Sequence, residues 1–108
     1  MGMLSTHILD TSLGVPAAGV GAVLEDGEGQ VVGFGITDHD GRIGSIGAGT
    51  LDPGDYRLRF STGDYFKTLG VEAFYPEVVV AFTVADSAQH YHVPLLLSPF
   101  GFSTYRGS

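Results

Sequence analysis

The sequence predicts an all-β fold, a sandwich or barrel of seven or eight short strands. Three observations carry that prediction. Apolar residues alternate with polar ones, or run unbroken, over segments of strand length. The 17 Gly and 5 Pro suit a chain with many turns, and they form no collagen-like repeat. Only one stretch carries helix signals.

Leu4 to Leu9 reads as a strand. Leu4, Thr6 and Ile8 share one face, and Ser5, His7 and Leu9 share the other. Asp10 to Ala18, with Gly14 and Pro16, reads as a connection. Val20 to Leu24 is a second strand, and Glu25-Asp-Gly-Glu-Gly29 after it is a hairpin signal. Val31 to Thr37 continues as the third, its glycines marking twist or close packing. Asp38 to Arg42 is a tight turn, Ile43 to Ile46 a short strand, and Leu51 to Asp55 a turn built on Pro53 and Gly54. Tyr56 to Phe60 alternates cleanly, with Tyr56, Leu58 and Phe60 inward and Arg57 and Arg59 outward. Thr62 or Asp64 is placed to cap a short helix around Tyr65 to Leu69, and Gly70 to stop it. Glu77 to Val84 is apolar on both faces, so it is expected to be buried on both sides or to pair with another chain. His90 to Leu97 and Phe102 to Arg106 are the last strands. No repeat or linker divides the 108 residues, so one domain over residues 1–108 is expected.

The formal net charge is -7, from 12 acids and 5 bases. Five scattered bases are too few for a nucleic-acid groove or an anionic membrane surface. No apolar run reaches membrane-span length, and no basic-then-apolar leader is visible. The absence of cysteine excludes disulfides, thiol nucleophiles and thiolate metal sites. It fits a reducing compartment, and a cytoplasmic location is expected.

The last nineteen residues, from His90 to Ser108, concentrate chemistry-bearing side chains. His90 and His92 stand at i and i+2, on one face of a strand. Such a pair can hold zinc with a third ligand, from His7 or an Asp. Without Cys or a His-Glu-x-x-His helix, the pattern better fits a neutral imidazole that orients substrate or acts as a general base near pH 7. His92 lies deeper in the strand, and His90 near its start is expected to be solvated. His39 reads as a loop residue, and Asp10 as a turn cap. Arg42 follows Asp40-Gly41 in a turn and offers paired donors to a carbonyl, enolate or carboxylate. At the end, Tyr105-Arg-Gly-Ser108 adds a guanidinium, a hydroxyl and a carboxylate, with Gly107 permitting an unusual backbone angle. No Gly-x-Ser-x-Gly elbow or phosphate loop is present.

Six segments together resemble the transthyretin-like 5-hydroxyisourate hydrolase family. They are Leu4-Ser-Thr-His-Ile-Leu-Asp10, Gly14-Val-Pro-Ala17, Asp40-Gly-Arg42, Phe74-Tyr-Pro76, the block from His90 to Pro99, and Tyr105-Arg-Gly-Ser108. The final tetrapeptide and the two histidines separate the hydrolases from transthyretin hormone carriers. Phe102 departs from the family pattern, which often has Tyr there. The resemblance implies a sandwich of two four-stranded sheets with one short helix. It implies a homotetramer, a dimer of dimers with a central channel, in which the Glu77–Val84 strand pairs across a subunit edge. It implies hydrolysis of the ring amide of 5-hydroxyisourate, in urate degradation, with no metal and no cofactor. Carried over as catalytic are His7, Arg42, His92 and Ser108, with Ser5, Tyr105 and Arg106 as substrate-binding residues. Arg106 is expected to hold the chain end in place or to assist with charge. The alternative is a non-catalytic, transthyretin-like small-ligand binder, which has no use for the histidines or the Tyr-Arg-Gly-Ser end.

Overall fold

A computed structural model describes residues 4–47 and 51–107. Nine strands and one helix follow in the order β1 (Leu4–Asp10), β2 (Val15–Pro16), β3 (Gly21–Glu25), β4 (Val31–Ile36), β5 (Arg42–Ile46), β6 (Gly54–Phe60), α1 (Thr62–Thr68), β7 (Val78–Val84), β8 (Tyr91–Ser98) and β9 (Gly101–Thr104). They form two sheets, one of β2-β1-β8-β9 with β5 also on β1, the other of β4-β3-β6-β7.

The first sheet holds five strands where four were expected. The addition is β2, two residues inside the Asp10–Ala18 connection. β8 pairs with β1 from Leu4 to Asp10 and occupies one whole edge of it. β5 covers Leu4 to His7 and β2 covers Leu9 and Asp10, so these two share the other edge end to end. The sheet is therefore still four strands wide. A two-residue strand is too short to show alternation, which is why the sequence reads it as loop.

Between the sheets the inward faces close over Leu4, Ile8, Leu24, Leu58, Phe60, Leu95 and Leu97, all essentially without solvent exposure. Each such side chain contributes about 1.5–3 kcal/mol of burial. Gly33 and Gly35 of β4 pack close, as expected. A Cβ at Gly35 would come within 2.9 Å of Ile43, and one at Gly33 within 2.6 Å of the Gly47 nitrogen.

The helix begins one residue earlier than the capping signals suggest. Ser61 stands at the N-cap, without a side-chain capping bond, and Thr62 and Asp64 lie inside the helix. Burial of Tyr65 and Phe66 holds so short a helix in place. Gly70 follows it at φ +69°, as a helix stop requires. The Phe74-Tyr-Pro76 segment then ties the helix to the β8–β9 turn, with the Phe74 amide on Pro99 O and the Gly63 amide on Pro76 O. Phe102 packs edge-on against Tyr75, centroids 5.3 Å apart.

β7 is not buried on both faces. It is the edge strand beside β6, with Val78 and Val84 buried and Val79, Ala81 and Thr83 exposed. Among the described residues its other edge has no strand partner. None of the described helices is long and apolar enough to cross a membrane.

Candidate active site

Strand register decides which side chains meet. In the parallel β1–β8 pair, Ser5 stands beside His92 and His7 beside Pro94. In the antiparallel β1–β5 pair, His7 stands opposite Arg42. Paired residues project to the same face. Ser5, His7, Arg42 and His92 therefore share the outward face of the first sheet, while Thr6, Ile8, Ile43 and Val93 point into the core. Arg42 is a strand residue, not a turn residue. Asp38 shapes the turn before it, accepting the Asp40 and Arg42 amides at 2.9 and 3.0 Å. Those bonds, Arg42's first, hold the Asp38 carboxyl below the usual range.

The β1–β5 register slips between Leu4 and Thr6, so Gly44 and Ser45 together lie opposite Ser5. Such a bulge re-aims nearby side chains. Ser5 is only 8% exposed. Its hydroxyl lies 2.8 Å from His90 Nε2 and 2.8 Å from His92 Nδ1. Ser5 was expected to touch substrate, but its hydroxyl is taken by the two imidazoles. His90 is exposed, as expected, yet one ring nitrogen is engaged. His39 and Asp40 lie in the exposed turn, 3.5 Å apart.

His7 Nε2 is 3.0 Å from the Asp40 carbonyl. A carbonyl only accepts, so Nε2 carries the proton and donates, and Nδ1 of the neutral ring is left as an acceptor. His92 is half-buried, and its pKa is lowered from 6.5. Burial is the largest cause, followed by His90, His7 and Arg42, while the Ser5 contact opposes the shift. His92 is thus an uncharged imidazole at pH 7, set among groups that bear or can take positive charge.

The C-terminal segment runs beside β8 past the end of β9. The Gly107 amide donates to His92 O at 2.8 Å, and the two residues form an antiparallel bridge. This continues the β8–β9 register, so Tyr105 falls on the face of His92 and Arg106 on the opposite one. Arg106 lies 4.5 Å from the Tyr91 ring centroid and donates to Gln89 Oε1 at 2.9 Å. It lines a cleft of about 320 Å³ together with His92, Tyr105, Tyr91 and residues 80–83. Its contacts to Tyr91 and Gln89 fit an anchor for the chain end, and its cleft is shared with His92. Ser108 lies outside the described residues.

Gly107 has a use that the sequence did not disclose. It is not among the glycines with positive φ. An added Cβ would come 2.5 Å from His92 Cδ2 and 3.1 Å from Pro94 Cγ. Glycine leaves room for the imidazole. Asp10 does cap a turn, and it does more. It is fully buried on the inward face, taking the Ser12 amide and hydroxyl, the Leu13 amide and, at 2.8 Å, the Tyr65 hydroxyl. Its alternation with Ile8 and Thr6 was the available signal.

The described site can bind a polar ring, take a proton at one imidazole and oppose developing negative charge with a guanidinium. Known proteins resemble this chain in sequence and fold. Over 110 residues the chain is 48% identical to the 5-hydroxyisourate hydrolase of Salmonella dublin, covering 98% of this chain and 81% of that protein. The structure of Klebsiella pneumoniae 5-hydroxyisourate hydrolase superposes with a TM-score of 0.91 at 42% identity, covering 98% and 99% of the two chains. Sea bream transthyretin, solved with thyroxine, superposes at 0.88 and 29% identity, covering 96% and 93%. The model of the HIUase/Transthyretin family matches residues 4–107, and this chain belongs to that family.

Proposed function

We propose that this protein hydrolyses 5-hydroxyisourate, opening its ring amide to 2-oxo-4-hydroxy-4-carboxy-5-ureidoimidazoline in urate degradation. The observation that carries this is the gathering of His7, Arg42 and His92 on one outward face by the two registers of β1. A carrier needs a cavity of matching shape; it does not need an uncharged base beside a guanidinium.

His92 takes a proton from water as its oxygen attacks the ring carbonyl carbon. Arg42 stabilises the oxyanion that forms. The carbon–nitrogen bond then breaks, and the proton held by His92 passes to the departing ring nitrogen. His7, its ring fixed by the bond to Asp40 O, offers Nδ1 to a substrate N–H. Tyr105 flanks the site on the same face. Ser108 holds a ring N–H or the water. No metal or cofactor enters these steps.

The active form is a homotetramer. Among the described residues the outer edge of β7 has no strand partner, and such an edge is a template for pairing with a second chain, which supports this. The reaction is cytoplasmic, which a chain without cysteines supports.

The test is the absorbance decay of freshly generated 5-hydroxyisourate, with sedimentation to give the assembly. The protein should speed the decay, and His92→Asn should lower kcat/KM roughly 10²-fold or more. Decay at the spontaneous rate would overturn the reading in favour of a ligand carrier. A chelator should change nothing.

A further inference from the structure

Ser5 has one hydroxyl proton and two imidazole partners, each at 2.8 Å. Its proton can go to only one ring, so at least one ring must present an N–H to Ser5. The two histidines therefore cannot choose their tautomers independently. When His92 presents a bare Nε2, its Nδ1–H donates to Ser5, and Ser5 donates to His90 Nε2. In the opposite arrangement His90 Nε2–H donates to Ser5, Ser5 donates to His92 Nδ1, and His92 Nε2 bears the proton.

We propose that Ser5 and His90 form a proton relay that carries the positive charge generated on His92 out to solvent. This rests on the functional reading above and names two positioning residues of the same site. As His92 Nε2 accepts the proton of water, its Nδ1–H bond breaks and an O–H bond forms on Ser5. The original Ser5 O–H breaks, and His90 Nε2–H forms. The charge then sits on His90. The reverse shift returns it when His92 Nε2 gives its proton to the departing ring nitrogen. Every bond broken in one step is remade in the other.

The surroundings favour this direction. His92 is half-buried and faces Arg42 from β5, His7 from β1 and Tyr105 from the β9 side, with no carboxylate on that face among the described residues. A lasting imidazolium there meets both desolvation and like charge. His90 is exposed, where water screens its charge. Ser5, buried between them, has no other hydrogen-bond partner for its hydroxyl among the described residues. The bulge on β5 lies directly opposite it.

The test compares Ser5→Ala, His90→Gln and the double variant in the full-length protein. Each single change should lower kcat about tenfold or more with KM nearly unchanged, and the double should lose no more than the worse single. Losses that multiply would overturn the relay, as would a Ser5→Ala enzyme with normal kcat. A second measurement needs no substrate: titration of the ring nitrogens by NMR with labelled histidine. His90 Nε2 and His92 Nδ1 should titrate together in the wild type and separately in Ser5→Ala. Independent titration in the wild type would overturn the relay. A wild-type protein inert toward 5-hydroxyisourate would overturn the functional reading alone, with the titration still deciding the coupling.

Discussion

The two ends of β1 carry two polar networks of opposite character. At Asp10, on the inward face, a carboxylate accepts four hydrogen bonds from three residues and is closed from solvent. At Ser5, on the outward face, a hydroxyl sits between two imidazoles, each of which can hold a proton on either nitrogen. Asp10 has one satisfied arrangement, and burial with four donors selects it. Ser5 has two arrangements of nearly equal count of hydrogen bonds. A network with one solution stabilises a fold, whereas one with two can move a proton. The same strand and the same β8 register place both.

The sharpest way to break this contrast is at Asp10. Asp10→Ala should cost about 3–5 kcal/mol, since the buried Tyr65 hydroxyl and the Ser12 and Leu13 donors lose their acceptor. The melting temperature should fall by about 10–20 °C. Below the melt, kcat per folded molecule should hold, because Asp10 does not face the site. Should the variant fail to fold, Tyr65→Phe removes one bond and should cost about 1 kcal/mol. A large loss of kcat in a well-folded Tyr65→Phe protein would erase the distinction between the ends.

Gly107→Ala tests the opposite end. The new methyl would sit 2.5 Å from His92 Cδ2, so the ring or the C-terminal segment must move. A displacement of that order should lower kcat/KM about 10²-fold. The melting temperature should change little, because Gly107 lies beyond the last strand and outside the core. If stability falls as much as activity, the segment is part of the fold's support and not a fitted neighbour of the base.

These two positions also mark what could be read in the sequence. Alternation made the strands legible, and with them the faces: Ser5 and His7 on one side of β1, His90 and His92 on one side of the strand read from His90 to Leu97, although β8 itself begins at Tyr91. Resemblance then selected His7, Arg42 and His92. The register between β1 and β8 was not legible, because their partners are 87 residues apart in the chain. Without it nothing joined Ser5 to the histidines, and the hydroxyl was assigned to substrate. The strand position of Arg42 was hidden by Asp40-Gly41, whose turn chemistry masks the strand start. Arg106 was singled out by the terminal motif, and only the β8–β9 register shows that it packs on Tyr91 at the edge of the cleft that His92 also lines. β2 was too short for any period, and Gly107 was read for conformation when the constraint was space.

The smallest expected effect separates the networks by pH. His92 has a lowered pKa, first through burial and then through His90, His7 and Arg42. Its base form therefore persists below pH 6.5, and the acid limb of kcat/KM should fall with an apparent pKa under that value. The stability sign follows from proton counts. Between its folded pKa and 6.5 the unfolded chain binds more protons at His92 than the native one, so stability declines as pH falls through that window. Asp10 responds elsewhere. Burial raises its pKa, but the bonds from Ser12, Tyr65 and Leu13 outweigh it and leave the carboxyl below 3.8. Its contribution is complete above pH 3.8 and is lost only as pH drops through the folded value. Activity should thus decline first, in a protein that still melts cooperatively, with the large stability loss arriving at lower pH. Profiles of kcat/KM and of melting temperature over one pH series would check this. An acid limb at or above 6.5 would mean that His92 does not govern it. Coincident loss of activity and fold would mean that the two ends of β1 are one network.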